Sequence, residues 1–173
     1  EMAKFYGIPT LAFGSYTGAK TINFQAGMDT VFGTALPALA GADAIYGPAS
    51  QDTNNLTDLP AVLAGIEVWR QVRRLLEGMK VDEERLMFDT VARLRFRADY
   101  LADPSTKKYF RQEHLLPDLF RRESYDAWKA RGQTEEEMAL TKVEAILRAH
   151  RPEPIPPEVK RELDRIMTAA EKA

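Results

Sequence analysis

With 173 residues, 45% of them hydrophobic and 29% charged, the chain has the balance of one globular domain with a core of its own, which excludes disorder along its whole length. Its 24 Lys and Arg against 26 Asp and Glu leave a net charge of -2 with the signs interspersed, so a nucleic-acid footprint or a basic membrane-surface patch is not expected. Cysteine is absent and His114 and His150 are the only histidines, which removes disulfides and thiolate chemistry and leaves too few ligands for a protein-bound zinc.

Glu1-Met2-Ala3-Lys4-Phe5 lacks the layout of a signal peptide and no apolar run reaches membrane-spanning length, so the expected setting is cytoplasmic. The chain opens without an initiating methionine directly into an apolar segment, and reads as the tail of a longer protein.

Ile8 to Phe13 is short, apolar and bounded by Gly7 and Gly14, which suits a buried strand. Behind Asn23, a ready N-cap, Phe24, Met28, Val31, Phe32, Ala35 and Leu39 recur at helical spacing until Gly41, with a bend expected at Pro37. Asp43-Ala44-Ile45-Tyr46 forms a second strand ending in Gly47-Pro48, and Ala49 to Asp58 is a polar loop. From Leu59, the residues Val62, Leu63, Ile66, Trp69, Val72 and Leu76 describe an amphipathic helix that stops at Gly78, with Arg70, Arg73 and Arg74 toward its end.

Strand, helix, strand, helix is the signature of parallel βα units. The residues alone leave two homes for such a pair: the last units of an eight-fold βα barrel, or part of an open doubly wound sheet. After Lys80 the pattern is helical throughout. Asp82 caps a helix through Arg95, Asp103-Pro104 starts another, and Thr134-Glu135-Glu136-Glu137 is a capping box for a helix running toward His150. The proline-rich run Arg151 to Pro157 precedes a final helix whose Val159, Leu163, Ile166, Met167 and Ala170 form one apolar stripe. The expected organisation is therefore residues 1–80 as βα units and 81–173 as a helical region packing on them.

The stretch Gly14-Ser15-Tyr16-Thr17-Gly18-Ala19-Lys20-Thr21 falls one residue short of a phosphate-binding loop, because Ala19 stands where the second glycine belongs and its Cβ obstructs the approach of a phosphate. A nucleotide-binding α/β domain rests on that broken loop alone. The alternative is a substrate-side loop at the C-terminal end of a barrel strand, where such folds place their chemistry. Phe13, Tyr16 and Tyr46 lie at or beside the ends of the two strands, and converging aromatic faces attract a methylated ammonium that cannot donate strong hydrogen bonds. Plain packing is the competing role for these rings. Lys20 and Asp52 are loop residues after strands and join the candidate site, whereas Asp29 sits on a helix as a surface charge. Ser15 and Ser50 have no histidine nearby in sequence, His114 falls in a charged helix and His150 in a last helical turn, so no residue stands out as catalytic.

Several segments in order resemble a known family: Phe5-Tyr6-Gly7-Ile8-Pro9-Thr10, Ala19-Lys20, Gln25-Ala26-Gly27, Ala40-Gly41-Ala42, Leu75 to Glu84, Tyr109-Phe110-Arg111-Gln112-Glu113, Leu116-Pro117-Asp118-Leu119, Tyr125-Asp126-Ala127-Trp128 and Pro152-Glu153-Pro154. Over nearly its whole length the chain is similar to the C-terminal third of the trimethylamine:corrinoid methyltransferases. The resemblance implies α/β architecture, the C-terminal βα units of a TIM-type (β/α)8 barrel followed by a helical region. It implies transfer of a methyl group from a methylated amine to Co(I) of a corrinoid (cobalamin) carried by a separate protein, without a protein-bound metal. No pyrrolysine is present, which points to the glycine betaine methyltransferase-like members and a quaternary amine. The implied partners are the corrinoid protein, the amine, the remaining barrel polypeptide and further copies of the chain as a homo-oligomer. The substrate-binding candidates remain those read from the strand ends and loops, Phe13, Tyr16, Lys20, Tyr46 and Asp52.

The chain departs from the family at Gly18, where Asp is common, at Asp52-Thr53-Asn54-Asn55-Leu56-Thr57, where Asp-Ser-Gly-Leu-Thr is usual, and at Leu63 to Glu67, where Glu67 is the one acid left of a cluster. A fragment of a barrel is not expected to turn over alone. The competing expectation is a truncated or split paralogue, without catalysis, that mediates assembly.

Overall fold

A computed structural model describes residues 1–97 and 99–171. Two compact units divide the chain, Glu1–Val143 and the part from Glu144 onward.

The first unit opens with the short helix α1 (Met2–Phe5), then strand β1 (Leu11–Phe13), helix α2 (Phe24–Leu39) and strand β2 (Ala44–Tyr46). β1 and β2 pair in parallel with Leu11 opposite Ala44, Ala12 opposite Ile45 and Phe13 opposite Tyr46. β1 is shorter than the expected strand from Ile8, because Pro9 has no N–H to offer a ladder and the Thr10 N–H instead donates to Asp43 Oδ2 at 2.7 Å. Asn23 caps α2 by accepting from Ala26 N at 3.0 Å. Pro37 is accommodated within the last turns of α2, where it leaves the Gly33 carbonyl without its helical donor.

The segment expected as a plain loop contains a miniature antiparallel pair, β3 (Ser50–Gln51) with β4 (Leu56–Thr57). Helix α3 (Leu59–Glu77) follows, with Pro60 in its first turn and Gly78 at φ 67° ending it. α2 packs against both α3 and β2, and on the sheet face that carries Ala12 and Ile45 these two residues are half-buried. The opposite sheet face, carrying Leu11, Phe13, Ala44 and Tyr46, is open.

The single helix expected from Asp82 to Arg95 is two, α4 (Glu83–Leu86) and α5 (Phe88–Leu94), parted by Met87 in the left-handed conformation at φ 51°. Asp82 caps only the first, through Arg85 N at 2.8 Å. Helix α6 (Pro104–Glu113) starts behind Asp103 as expected, and α7 (Tyr125–Arg131) is capped by Ser124. Helix α8 (Glu135–Ala149) begins with the capping box, Thr134 N donating to Glu137 Oε2 and Glu137 N to Thr134 Oγ1.

The change of character after Lys80 is one of secondary structure, and bonds run across it. Arg74 Nη2 donates to Glu113 O at 2.8 Å and Arg70 Nη1 to Asp118 Oδ2 at 2.7 Å, so these arginines tie α3 to the end of α6 and the chain after it. In the second unit, the last helix, α9 (Pro157–Glu171), keeps its apolar stripe exposed. Among the described residues no helix is long and apolar enough to cross a membrane.

Candidate functional site

Two loops leave the C-terminal ends of β1 and β2 and are sewn together. Gly14 N donates to Tyr46 O at 2.9 Å, continuing the parallel ladder one step beyond Phe13. Tyr16 and Ser50 then form an isolated parallel bridge, with Thr17 N donating to Ser50 O at 2.9 Å. Farther out, Asp52 N donates to Ala19 O at 3.0 Å and Thr53 N to Thr17 O at 3.3 Å. The consecutive residues Asp52, Thr53 and Asn54 all take positive φ, 46°, 57° and 73°. None is glycine, and a β-branched residue such as Thr53 is disfavoured there, so the cross-loop bonds hold a strained segment in place.

This arrangement accounts for the near-match to a phosphate loop. The Thr17 N–H is spent on Ser50 O, the Ala19 N–H on Thr17 Oγ1 at 3.0 Å, and α2 starts only at Phe24. Two of the amides that a phosphate cradle would aim at its ligand are thus committed within the protein.

Of the five expected site residues, four meet as two pairs. Phe13 and Tyr46, opposite each other in register, stack edge to face with ring centroids 5.6 Å apart. They are 67% and 59% exposed in this chain. Lys20 Nζ lies 2.9 Å from Asp52 Oδ1 and donates to Gly18 O at 2.7 Å. Tyr16 joins the cluster through its main chain, and its ring is exposed.

Beneath the loops is a buried polar layer that the spacing of residues does not announce. Ser15, left-handed at φ 58°, shares a hydrogen bond with Thr34 Oγ1, which donates on to Thr30 O at 2.8 Å. Thr17 Oγ1 donates to Asp29 Oδ2 at 2.6 Å, so Asp29 is not the surface charge expected but an acceptor that fixes the first loop. Gln51 is also buried, and its Nε2 finds no partner among the described residues. Asp29 is not detectable from helical spacing, since Thr17 sits outside its helix.

Glu67, expected only as a remnant acid, is 3% exposed. Its Oε2 accepts from Asp118 N at 3.2 Å and Leu119 N at 3.4 Å, with Arg70 Nη1 at 3.5 Å. It clamps the segment after α6 to α3. His114 terminates α6 with its ring tilted against Phe110 at 5.5 Å, and His150 follows the last residue of α8. Among the described residues no three His, Asp or Glu side chains converge as metal ligands.

Comparison with known proteins adds what geometry alone does not. Residues 1–172 match the family model of trimethylamine methyltransferase. The chain is 29% identical to trimethylamine methyltransferase MttB of Methanosarcina barkeri over 100% of its own length and 35% of that protein's. It is 29% identical to the Methanosarcina thermophila MttB, covering 94% of this chain and 34% of the relative. To the glycine betaine methyltransferase of Desulfitobacterium hafniense it is 23% identical, again over 94% and 34%. The chain thus spans about a third of the length of these curated relatives.

Proposed function

The chain belongs to the trimethylamine methyltransferase family, and we propose on that basis that it supplies substrate-side loops for a methyltransferase acting on a methylated amine. In this reading the two βα units belong to a TIM-type barrel, the helical region packs on it, and the acceptor is Co(I) of a corrinoid on a separate protein. A quaternary amine is favoured over a tertiary one, because the Phe13–Tyr46 pair offers ring faces rather than a strong acceptor for an N–H.

That ring pair, exposed at the ends of two parallel strands, is the observation that carries the proposal. The quadrupole of each ring attracts a methylammonium, and two rings at right angles hold its methyl groups in fixed directions. The corrinoid supplies the nucleophile, so this chain has to bind, orient and exclude water rather than move protons. The exposed aromatic faces leave an approach for a large planar group without any side chain of this chain having to ligate it. The Lys20–Asp52 pair carries no net charge, so the mouth does not repel a cationic amine. Because the ring-bearing sheet face is open to water here, turnover is expected only when further polypeptide encloses it.

The test mixes the chain, joined to or reconstituted with the rest of a family-length polypeptide, with Co(I) corrinoid protein and either trimethylamine or glycine betaine. Methylcobalamin absorbance should appear with at least one amine. Its absence with both, from protein that is folded and loaded with partner, rejects the reading.

A further inference from the structure

Asp29 is the only charged side chain of the 16-residue helix α2. Its Oδ2 accepts from Thr17 Oγ1 at 2.6 Å and from Gln25 Nε2 at 3.4 Å. Gly33 follows about one turn later on the same side of α2, and a Cβ there would stand 2.8 Å from Ser15 N, so the helix backbone already lies against the loop that Asp29 reaches. The carboxylate therefore acts from a fixed base. An ionised carboxylate only accepts, which directs the Thr17 hydroxyl proton at Asp29 and leaves a lone pair of that oxygen for the Ala19 N–H, 3.0 Å away. The 2.6 Å separation is that of a charge-assisted bond, the stronger kind.

Thr17 is 3% exposed, and at this residue the two loops of the mouth meet. Its N–H donates to Ser50 O, its carbonyl accepts from the Thr53 N–H, and its hydroxyl joins Ala19 to Asp29. Ala19 in turn accepts through its carbonyl from the Asp52 N–H at 3.0 Å. A run of bonds thus leads from one carboxylate on α2, through one hydroxyl and the backbone of the first loop, to a second loop that Asp29 does not bond. Asp52, Thr53 and Asn54 of that second loop are left-handed without a glycine among them, a conformation that persists only where the surroundings over-determine it. Releasing Thr17 removes part of that restraint.

We infer that Asp29 is a positioning residue of the amine site: by orienting the Thr17 hydroxyl it sets where the loop after β2, and with it the Lys20–Asp52 pair, stands relative to the Phe13–Tyr46 rings. The inference rests on the proposed reading of that mouth as a methylated-amine site. Asp29 acts through Thr17 and not by its charge on the amine, so a neutral acceptor of the same shape serves nearly as well. Every bond it depends on lies within this chain, so further polypeptide around the sheet does not supply the link.

The experiment uses the chain as part of a family-length polypeptide. Hydrogen exchange is read by mass on a peptide covering residues 50–57, and amine binding by calorimetric titration with glycine betaine and with trimethylamine. In Asp29→Ala, exchange at residues 50–57 should quicken roughly tenfold while a peptide within α3 around Val72 keeps the parent rate. Affinity for the amine should fall on the order of tenfold. Asp29→Asn, which retains an oxygen for the Thr17 hydroxyl, should stay within about threefold of the parent in both readouts. Thr17→Val should do at least as much as Asp29→Ala, and the double variant no more than Thr17→Val alone, because both changes delete one link. Unchanged exchange at residues 50–57 in Asp29→Ala overturns the inference, and so does exchange that quickens equally around Val72, the mark of general destabilisation. Asp29→Asn binding as poorly as Asp29→Ala overturns it too, by assigning the effect to charge. A parent protein that binds neither amine rejects the proposed substrate, and the exchange comparison then decides by itself whether Asp29 holds the second loop.

Discussion

Lys20 Nζ lies 2.9 Å from Asp52 Oδ1, the outermost of the links that join the loop after β1 to the loop after β2. Its side chains are 70% and 38% exposed, so the pair itself contributes little to stability, about 0–1 kcal/mol. Its effect is on position, because Asp52 begins the left-handed run that its backbone bond to Ala19 O holds. Asp52→Asn, which leaves the Lys20 charge unpaired at the mouth, should leave the urea midpoint nearly unchanged while weakening binding of a cationic amine several-fold. A large drop in stability with unchanged binding would make the pair structural instead.

The ring pair leads to a binding prediction. Tyr46→Ala should weaken binding of a quaternary ammonium by about 0.5–2 kcal/mol, and Tyr46→Phe should keep most of it, since the ring face rather than the hydroxyl makes the contact. Phe13→Leu should resemble Tyr46→Ala, because the two rings orient each other at 84°. Calorimetric titration with a betaine measures all three, and equal affinity throughout would place the site elsewhere.

What can be read from sequence is what neighbouring residues determine. Asn23, Gly78, Asp103 and Thr134 act within a turn of their own position, so their helix ends are legible. The loop positions of Lys20 and Asp52 are legible too, but their pairing depends on the parallel register of Phe13 with Tyr46. Asp29 and Glu67 escape for the same reason: Thr17, Asp118 and Leu119 are distant in the chain, and no periodicity connects them. Met87 breaks a helix with no local signal, since methionine is itself a good helix former.

Glu67 is the buried polar group whose loss should be felt most. Glu67→Ala strands the Asp118 and Leu119 N–H groups and leaves Arg70 with only Asp118, a cost of about 2–4 kcal/mol. Glu67→Gln retains an amide oxygen for both N–H groups and should cost less than half as much. Urea unfolding of both variants tests this, and equal losses would show that charge rather than the clamp matters.

Asp103 makes part of the acid sensitivity assignable. The Ser105 hydroxyl first, then the Arg93 guanidinium and the Ser105 N–H, hold its carboxyl at about 2 against an ordinary 3.8. A carboxyl depressed in the folded state binds fewer protons there than when unfolded, so its stabilisation is present above pH 3.8 and is lost as pH falls toward 2. Asp103→Asn keeps an N-cap of equal quality but cannot titrate. The variant should lose stability less steeply between about pH 4 and 2. Superimposable acid curves would assign the loss to the other depressed carboxyls, Asp82, Glu84, Glu113, Asp118 and Glu162.

The contact between Gly14 and Gly33 is the point where the loop of the site meets the helix behind it. A Cβ on Gly14 would stand 2.3 Å from Gly33 O and 2.5 Å from Ile45 Cγ2, and one on Gly33 would stand 2.8 Å from Ser15 N. Main-chain atoms cannot swing aside, so Gly14→Ala has to push β1 away from α2 and disturb the bond from Gly14 N to Tyr46 O. The expected loss is about 2–4 kcal/mol, more than overpacking at a flexible site. Gly27→Ala, with open space around it, should instead stabilise the chain by about 0.5–1 kcal/mol through helix propensity. Thermal unfolding compares them: Gly14→Ala should fall well below the parent and Gly27→Ala rise slightly above it. A tolerated Gly14→Ala would mean that β1 and α2 are not in the close contact on which the shape of the ring pair depends.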